Sequence, residues 1–309
     1  MKPHLKAVVG IAATAVFLWL ALRGVDWAEV VAHLRDADPL LLAAAVLVST
    51  VGMHIRALRW KPLLAPVAPG VAWRPRIAAV CIGFGANNVF PARLGEFARA
   101  WVLSRQAAVP LPAAFASLAL ERVLDGIVCI SFLLGAMAMP AFPPLPTGGA
   151  VDPGAAARLI GLLTAVLALS LLALAFFPSR FVAVAERVAG WTLPKAFRRP
   201  LVDALHAFAA GLHVLKSPRL LALSVAWALF QWSFLAVSFW LAFRAFGITA
   251  PGYLGAVFLQ SLIALAVAIP SAPGFFGPFE AAARWGLGLW GSTGRGRSPS
   301  PSASTWAGG

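Results

Sequence analysis

The chain has 309 residues, of which 61% are hydrophobic and only 12% charged, and its mean hydropathy is +0.84. Soluble domains carry about a quarter charged residues, so these values exclude one and define a polytopic α-helical membrane protein. The net charge of +14 does not require nucleic acid as a partner, because the basic residues cluster between apolar runs, as positive cytoplasmic loops do.

In chain order, Leu5 to Leu22 is an apolar run behind Lys2 and Lys6, with no A-x-A cleavage site in place, and reads as an uncleaved first span. The loop Arg23 to Asp38 balances two arginines against four acids, and a second span follows from about Pro39 to Leu58. It exits through Arg56, Arg59, Trp60 and Lys61, followed by Arg74 and Arg76. These five basic residues without an acid place that loop, and with it the N-terminus, in the cytoplasm. Arg56, Arg59 and Trp60 read here as a positive interfacial anchor.

The next stretch, Gly83 to Arg105, begins as membrane sequence and then breaks. Gly83, Gly85, Asn87 and Asn88 loosen it, and Pro91 ends regular helix. Arg93, Glu96 and Arg99 follow at once. Downstream, Ala113 to Met139 is a long helix leading to Pro140–Ala157, a Pro/Gly-rich loop without Lys or Arg, which is expected outside. A span from about Arg158 to Phe177 then reaches Pro178 to Arg219, whose seven basic residues belong inside. The parity closes only if Ile77 to Arg105 enters and returns on the cytoplasmic side as a re-entrant hairpin.

Within Pro178–Arg219, Phe197, Leu201, Leu205, Phe208, Leu212 and Leu215 recur at helical spacing, marking an amphipathic helix on the bilayer surface or on the bundle. His206 and His213 lack a third metal ligand and read as solvated. Further spans run from Leu220 to Phe243 and from about Gly252 to Ile269. The sequence then breaks again at Pro270–Leu287, where Gly277, Glu280, Arg284 and Trp285 echo Gly95, Glu96, Arg99 and Trp101. Paired interrupted segments are the mark of a transporter-like internal repeat. Cys81 and Cys129 lie in apolar runs without CxxC spacing and read as buried thiols.

The expected fold is therefore all-α, with about six full spans plus two broken or re-entrant segments. Residues 1–290 form one membrane domain. The Ser/Pro/Gly/Arg-rich stretch 291–309 reads as a disordered tail, of the kind a truncation or frameshift near Leu289 would leave.

The chemistry concentrates in Arg93, Glu96 and Arg99 with Glu121, Arg122 and Asp125. Glu96 and Arg99 are three apart and Glu121 and Asp125 four apart, so each set shares a helix face. Charges at membrane depth need partners, and arginines held by carboxylates suit a phosphate headgroup. Ion pairs that merely pin a re-entrant loop would need the same residues. There is no nucleophilic triad, metal spacing or nucleotide-binding glycine pattern, so neither an enzyme nor a cofactor is expected.

On these motifs the chain resembles the lysylphosphatidylglycerol synthase transmembrane region, a flippase-like family. The resemblance rests on Arg56-x-x-Arg59-Trp60, Asn88-x-x-Pro91-x-Arg93-x-Gly95-Glu96-x-x-Arg99, Glu121-Arg122-x-x-Asp125, and Pro273-Gly274-x-x-Gly277-x-x-Glu280. It implies a bacterial or archaeal inner-membrane protein that binds or translocates an anionic or aminoacylated phospholipid, a polyprenyl lipid or a hopanoid. Asn88, Arg93, Glu96, Arg99, Glu121, Arg122, Asp125, Gly277 and Glu280 would line its cavity. A cytoplasmic lipid-modifying enzyme is an implied partner. The soluble aminoacyltransferase domain of two-domain members is not in this sequence, so lysylphosphatidylglycerol synthesis is not carried over. Membership of a lipid-modifying transferase as a membrane subunit, or a scaffold role through Pro178–Arg219, are the alternatives.

Overall fold

The computed structural model describes residues 27–90, 94–144, 153–192, 195–268, 275 and 277–291. The expected first span, Arg93, most of the second break before Gly277, and all but the first residue of the polar tail lie outside the described residues. What is described is helical, with no strand among it: α1 (Trp27–Asp36), α2 (Pro39–Leu64), α3 (Trp73–Val89), α4 (Leu94–Ala107), α5 (Leu111–Met137), α6 (Pro153–Phe176), α7 (Pro178–Thr192), α8 (Lys195–Gly211), a 3-10 turn (Leu212–Lys216), α9 (Pro218–Ala245), α10 (Gly252–Ala266) and α11 (Pro278–Gly288). The all-α membrane fold is thus as the sequence indicates.

The long helices start where local chemistry starts them. Asp38 accepts hydrogen bonds from the backbone N–H groups of Leu40 and Leu41, and Pro39 opens α2. Ser217 and Pro218 do the same for α9. These two helices form an antiparallel pair. Asp38 N–H donates to the Ala245 carbonyl at one end, and Ser49 and Ser238 share a 2.7 Å hydroxyl contact further in.

The span expected to stop near Leu58 runs on to Leu64, through Pro62. A proline there removes one hydrogen bond from the helix, leaving the Leu58 carbonyl without its usual donor. Arg76 supplies a substitute from the neighbouring α3: its Nη1 donates to the carbonyls of Ala57 at 2.6 Å and Leu58 at 3.3 Å. Arg56, Arg59 and Trp60 consequently lie inside a packed helix.

α3 and α4 form an antiparallel hairpin about the Pro91 break. Gly83 meets Gly95 and Arg99, while Asn87 meets Gly95. The approach is close enough that a Cβ on Gly95 would overlap the Gly83 carbonyl oxygen, and one on Gly83 would sit 2.8 Å from Arg99 Cβ. With 17 and 14 residues the two arms span about 25 and 21 Å, less than a ~30 Å hydrocarbon core. That is the length a re-entrant hairpin needs.

Among the described residues, α2 and α9 are long and apolar enough to cross a membrane, and a third crossing results if α6 and α7, which meet at 98°, count as one broken span. The six spans expected are not reached on these grounds, for identifiable reasons. α5 has 27 residues but carries Glu121, Arg122 and Asp125 near its centre. α10 has only 15 residues.

The amphipathic α8 lies on the bundle. Gly211 at its end fits against α5, where an added Cβ would come within 2.7 Å of the Ala113 carbonyl and the Ala116 methyl. Small residues at helix contacts permit such approach. The main core gathers Trp60, Leu63 and Leu64 of α2 with Leu103 of α4, Leu120 and Leu133 of α5, and Phe258 of α10.

Candidate functional site, a buried charge network

Three elements deliver charge to one place, and a fourth adds polar partners. Arg56 and Arg59 sit one turn apart on α2, Glu96 and Arg99 on α4, and Glu121, Arg122 and Asp125 on α5, while α9 adds Gln231 and Trp232. Glu121 lies about 15 Å along α5 from Leu111, and Arg56 about 12 Å from the matching end of α2, so the network occupies interior depth.

Glu121 is fully buried and forms its centre. Arg99, 2% exposed, grips it in a bidentate fork with both bonds at 2.8 Å. Arg56 Nη1 donates to Glu121 Oε1 at 3.0 Å and Arg122 Nη2 at 3.1 Å. Fork geometry of this kind fixes orientation as well as charge. Asp125 forms the second centre. It accepts from Arg59 Nη1 and from Trp232 Nε1, the latter at 2.9 Å, and lies 3.3 Å from Arg122 Nη2. Arg59 also donates to Gln231 Oε1 at 3.2 Å and to the Glu121 carbonyl at 3.3 Å.

The aromatic surroundings shape the site. The Arg99 guanidinium lies 4.1 Å from the Trp60 ring centroid, and Trp60 is anchored by its own Nε1 bond to Ser117 at 2.9 Å. Arg56 lies 5.0 Å over Phe84 of α3. Stacking on a desolvated ring adds to the electrostatic hold on a cation. At the rim, the Arg122 and Glu96 side chains keep 29% and 27% of their surface exposed and face each other at 3.8 Å. The buried Nε atoms of Arg59, Arg99 and Arg122, together with Glu96 Oε2 and Asp125 Oδ2, have no hydrogen-bond partner among the described residues.

The structure therefore brings together Glu96, Arg99, Glu121, Arg122 and Asp125. Arg93 lies outside the described residues. Asn88 is exposed, and it is Asn87 that is buried, accepting the Gly95 N–H at 2.8 Å and so satisfying a free amide at the start of α4. Gly277 and Glu280 are not part of this network. Glu280 is exposed and accepts the Gly277 N–H at 2.6 Å, capping α11.

The interfacial role expected of Arg56, Arg59 and Trp60 is corrected: Arg59 and Trp60 are fully buried, Arg56 is 6% exposed, and all three belong to the network. The i, i+3 pair of arginines followed by the apolar Pro62-Leu63-Leu64 was the available signal. Gln231 is legible as a polar residue in mid-span, suited to an interhelical hydrogen bond, but nothing local ties it or Trp232 to this site, because Asp125 is 107 positions from Trp232.

An all-helical bundle with a multi-arginine, multi-carboxylate network at interior depth defines an integral membrane protein with an internal polar site. The chain belongs to the lysylphosphatidylglycerol synthase TM region family, whose model matches residues 7–304. It is 26% identical to a UPF0104 membrane protein of Methanothermobacter thermautotrophicus over 263 residues, covering 80% of this chain and 73% of that protein. It is 37% identical to the glycosyltransferase AglD of Haloferax volcanii over 128 residues, which is 41% of this chain and 20% of that protein. A UPF0104 membrane protein of Pyrococcus horikoshii is 27% identical over 137 residues, 43% of this chain and 40% of the relative. The chain thus spans about a fifth of the glycosyltransferase it matches. No solved structure matches it.

Proposed function

We propose that this chain binds an amphiphilic envelope lipid by its headgroup and moves it between the leaflets of a bacterial inner membrane, without itself catalysing a reaction. The observation that carries the reading is the charge network, in which carboxylates hold arginines ready at interior depth while Arg122 and Glu96 remain reachable at the rim. Burying such groups is costly, and ion pairs inside a bundle are weak grounds for stability alone. Membership of a family named for the membrane region of a phospholipid-modifying enzyme supports a lipid as the ligand. The seven basic residues of Pro178–Arg219 support a cytoplasmic placement of that segment, with the N-terminus on the same side.

Binding suits the site better than acid–base chemistry. Both carboxylate oxygens of Glu121, and Oδ1 of Asp125, already accept hydrogen bonds from guanidinium groups, which suits them to holding arginines rather than to taking a substrate proton. The test is transbilayer movement in proteoliposomes of fluorescent phosphatidylglycerol, an aminoacylated analogue and a polyprenyl phosphate. The expected result is accelerated movement of at least one of them over protein-free vesicles. Equal rates for all three lipids with and without protein would reject translocation. The match to a glycosyltransferase over 128 residues favours one further reading, a membrane subunit serving sugar or acyl transfer onto a lipid carrier. Product formation by the purified chain with a donor would select it.

A further inference from the structure

A groove runs between α2 and α9 from the Asp38–Ala245 end of the bundle towards the charge network. Its outer part is an open, apolar cavity of about 380 Å³, walled by Leu42, Ala45, Val46 and Met53 of α2 and by Ala242 of α9. Ser49 and Met53 also border a second, smaller chamber of about 60 Å³, so the two adjoin each other. That inner chamber ends on Arg56, Gln231 and Phe84. From Leu42 to Arg56 the groove is about 21 Å long, enough for an acyl chain that reaches through one ~15 Å leaflet.

The groove's inner end is built to donate. Arg56 is 94% buried and, among the described residues, hydrogen-bonds only through Nη1, leaving its Nη2 and Nε protons uncommitted. Gln231 is 98% buried and its Oε1 already accepts from Arg59, so its amide protons are what remains to offer. Asp125 Oδ2 stands 3.7 Å from Arg56 Nη1 without a hydrogen bond to it, so these donors remain for an anion.

The network around them points the same way. Among the described residues four guanidinium groups, Arg56, Arg59, Arg99 and Arg122, meet three carboxylates, Glu96, Glu121 and Asp125. One positive charge is left over. At interior depth a surplus charge is expensive unless a partner neutralises it. A monoanion balances it, whereas a cationic headgroup would add to it and a dianion would reverse it.

We propose that the α2–α9 groove is the binding site of a monoanionic phosphodiester lipid, with one acyl chain in the outer cavity and the phosphate at Arg56 and Gln231. This rests on the lipid-binding reading above and adds the position of the lipid and the charge class of its headgroup. Gln231 is the positioning residue that lets Arg59 stay paired while donating to the phosphate.

The test uses the full chain in detergent with phosphatidylglycerol bearing a photoreactive diazirine on its acyl chain, and adducts mapped by peptide mass. Adducts are expected to concentrate on Leu42–Met53 and Ser238–Ala242, at about tenfold the yield given by the phosphatidylcholine analogue. Unlabelled phosphatidylglycerol should suppress them, and glycerol phosphate, which lacks chains, should not. Gln231→Glu keeps the acceptor for Arg59, cancels the surplus charge, and should lower the yield about tenfold. Ala242→Phe fills the outer cavity without touching the charges and should do the same, so a folding defect in either variant leaves the other to decide.

Uniform adducts on all lipid-facing helices, equal for both headgroups, would overturn the assignment. So would adducts confined elsewhere, which would mean that the Leu5–Leu22 run or a second copy covers the groove. Suppression by glycerol phosphate as effective as by the lipid would reduce the site to a phosphate site. Because the readout is occupancy, it is separable from translocation. Selective adducts without transbilayer movement would retire the translocase and keep the groove, and movement unaffected by both variants would do the opposite.

Discussion

The two breaks in this chain use nearly the same letters and do different things. In the first, Gly95, Glu96 and Arg99 open α4, and Arg99 is drawn inward to grip Glu121. In the second, Gly277 and Glu280 open α11, but Glu280 turns back to cap its own helix and Arg284 stays exposed. What surrounds each break decides its role. Opposite α4 stands α5, with three charges at interior depth. Opposite α11 stands α10, whose Phe258 packs with Trp285 and Trp290, and with Phe142 at a 4.8 Å ring separation. A Gly/Glu break becomes part of a polar site only when the facing helix supplies counter-charges; otherwise the glutamate serves as a cap and aromatics close the contact.

The sharpest way to break this comparison is to remove the centre of the first region. Glu121→Gln leaves Arg99, Arg56 and Arg122 without their shared partner and should cost about 3–5 kcal/mol, read as a large fall in melting temperature in detergent. A loss no greater than that of Glu280→Gln would mean that the two breaks are energetically alike. Next in size is the hairpin approach itself. Gly95→Ala forces away the Gly83 carbonyl and the Asn87 side chain, at about 1–3 kcal/mol on the same melting curve. Trp60→Phe removes one buried hydrogen bond, to Ser117, while keeping the ring under Arg99, and should cost about 1 kcal/mol. Smallest is Glu280→Ala, which loses only the bond to the Gly277 amide and should cost about 0.5–1 kcal/mol.

Much of this was legible in the sequence because charge is conspicuous in an apolar chain. Glu121 and Asp125 at i, i+4 in a long apolar run, and Arg99 three residues after Glu96, predict a shared face and a need for partners. The Pro91 break predicts the hairpin, and the antiparallel pairing of Gly83 with Gly95 is its packed form.

What could not be read there depended on distant residues. Arg56, Arg59 and Lys61 look like the start of a basic loop, since Pro62 ordinarily ends a helix. It does not, because Arg76 supplies the donor that Pro62 lacks, and no local pattern shows that. Asn87 and Asn88 are equivalent as letters, and only the direction of α3 puts Asn87 against Gly95. Trp232 and Gln231 entered the site because α9 pairs with α2, a fact of topology. The similarity of the two breaks was visible early, yet their difference lay in the helices opposite them.

The most direct measurement of the central claim is transbilayer movement of fluorescent phosphatidylglycerol in proteoliposomes, comparing wild type with Glu96→Ala and Glu280→Ala. Glu96 is the suitable probe because, among the described residues, its one ion pair in the network is the 3.8 Å contact with Arg122, so its loss should leave the buried core intact. The account predicts that Glu96→Ala slows movement about tenfold while its melting temperature holds, and that Glu280→Ala stays within about twofold of wild type. Equal rates for wild type and Glu96→Ala, or a deeper loss in Glu280→Ala, would contradict the assignment of lipid movement to the charge network to which the first break contributes.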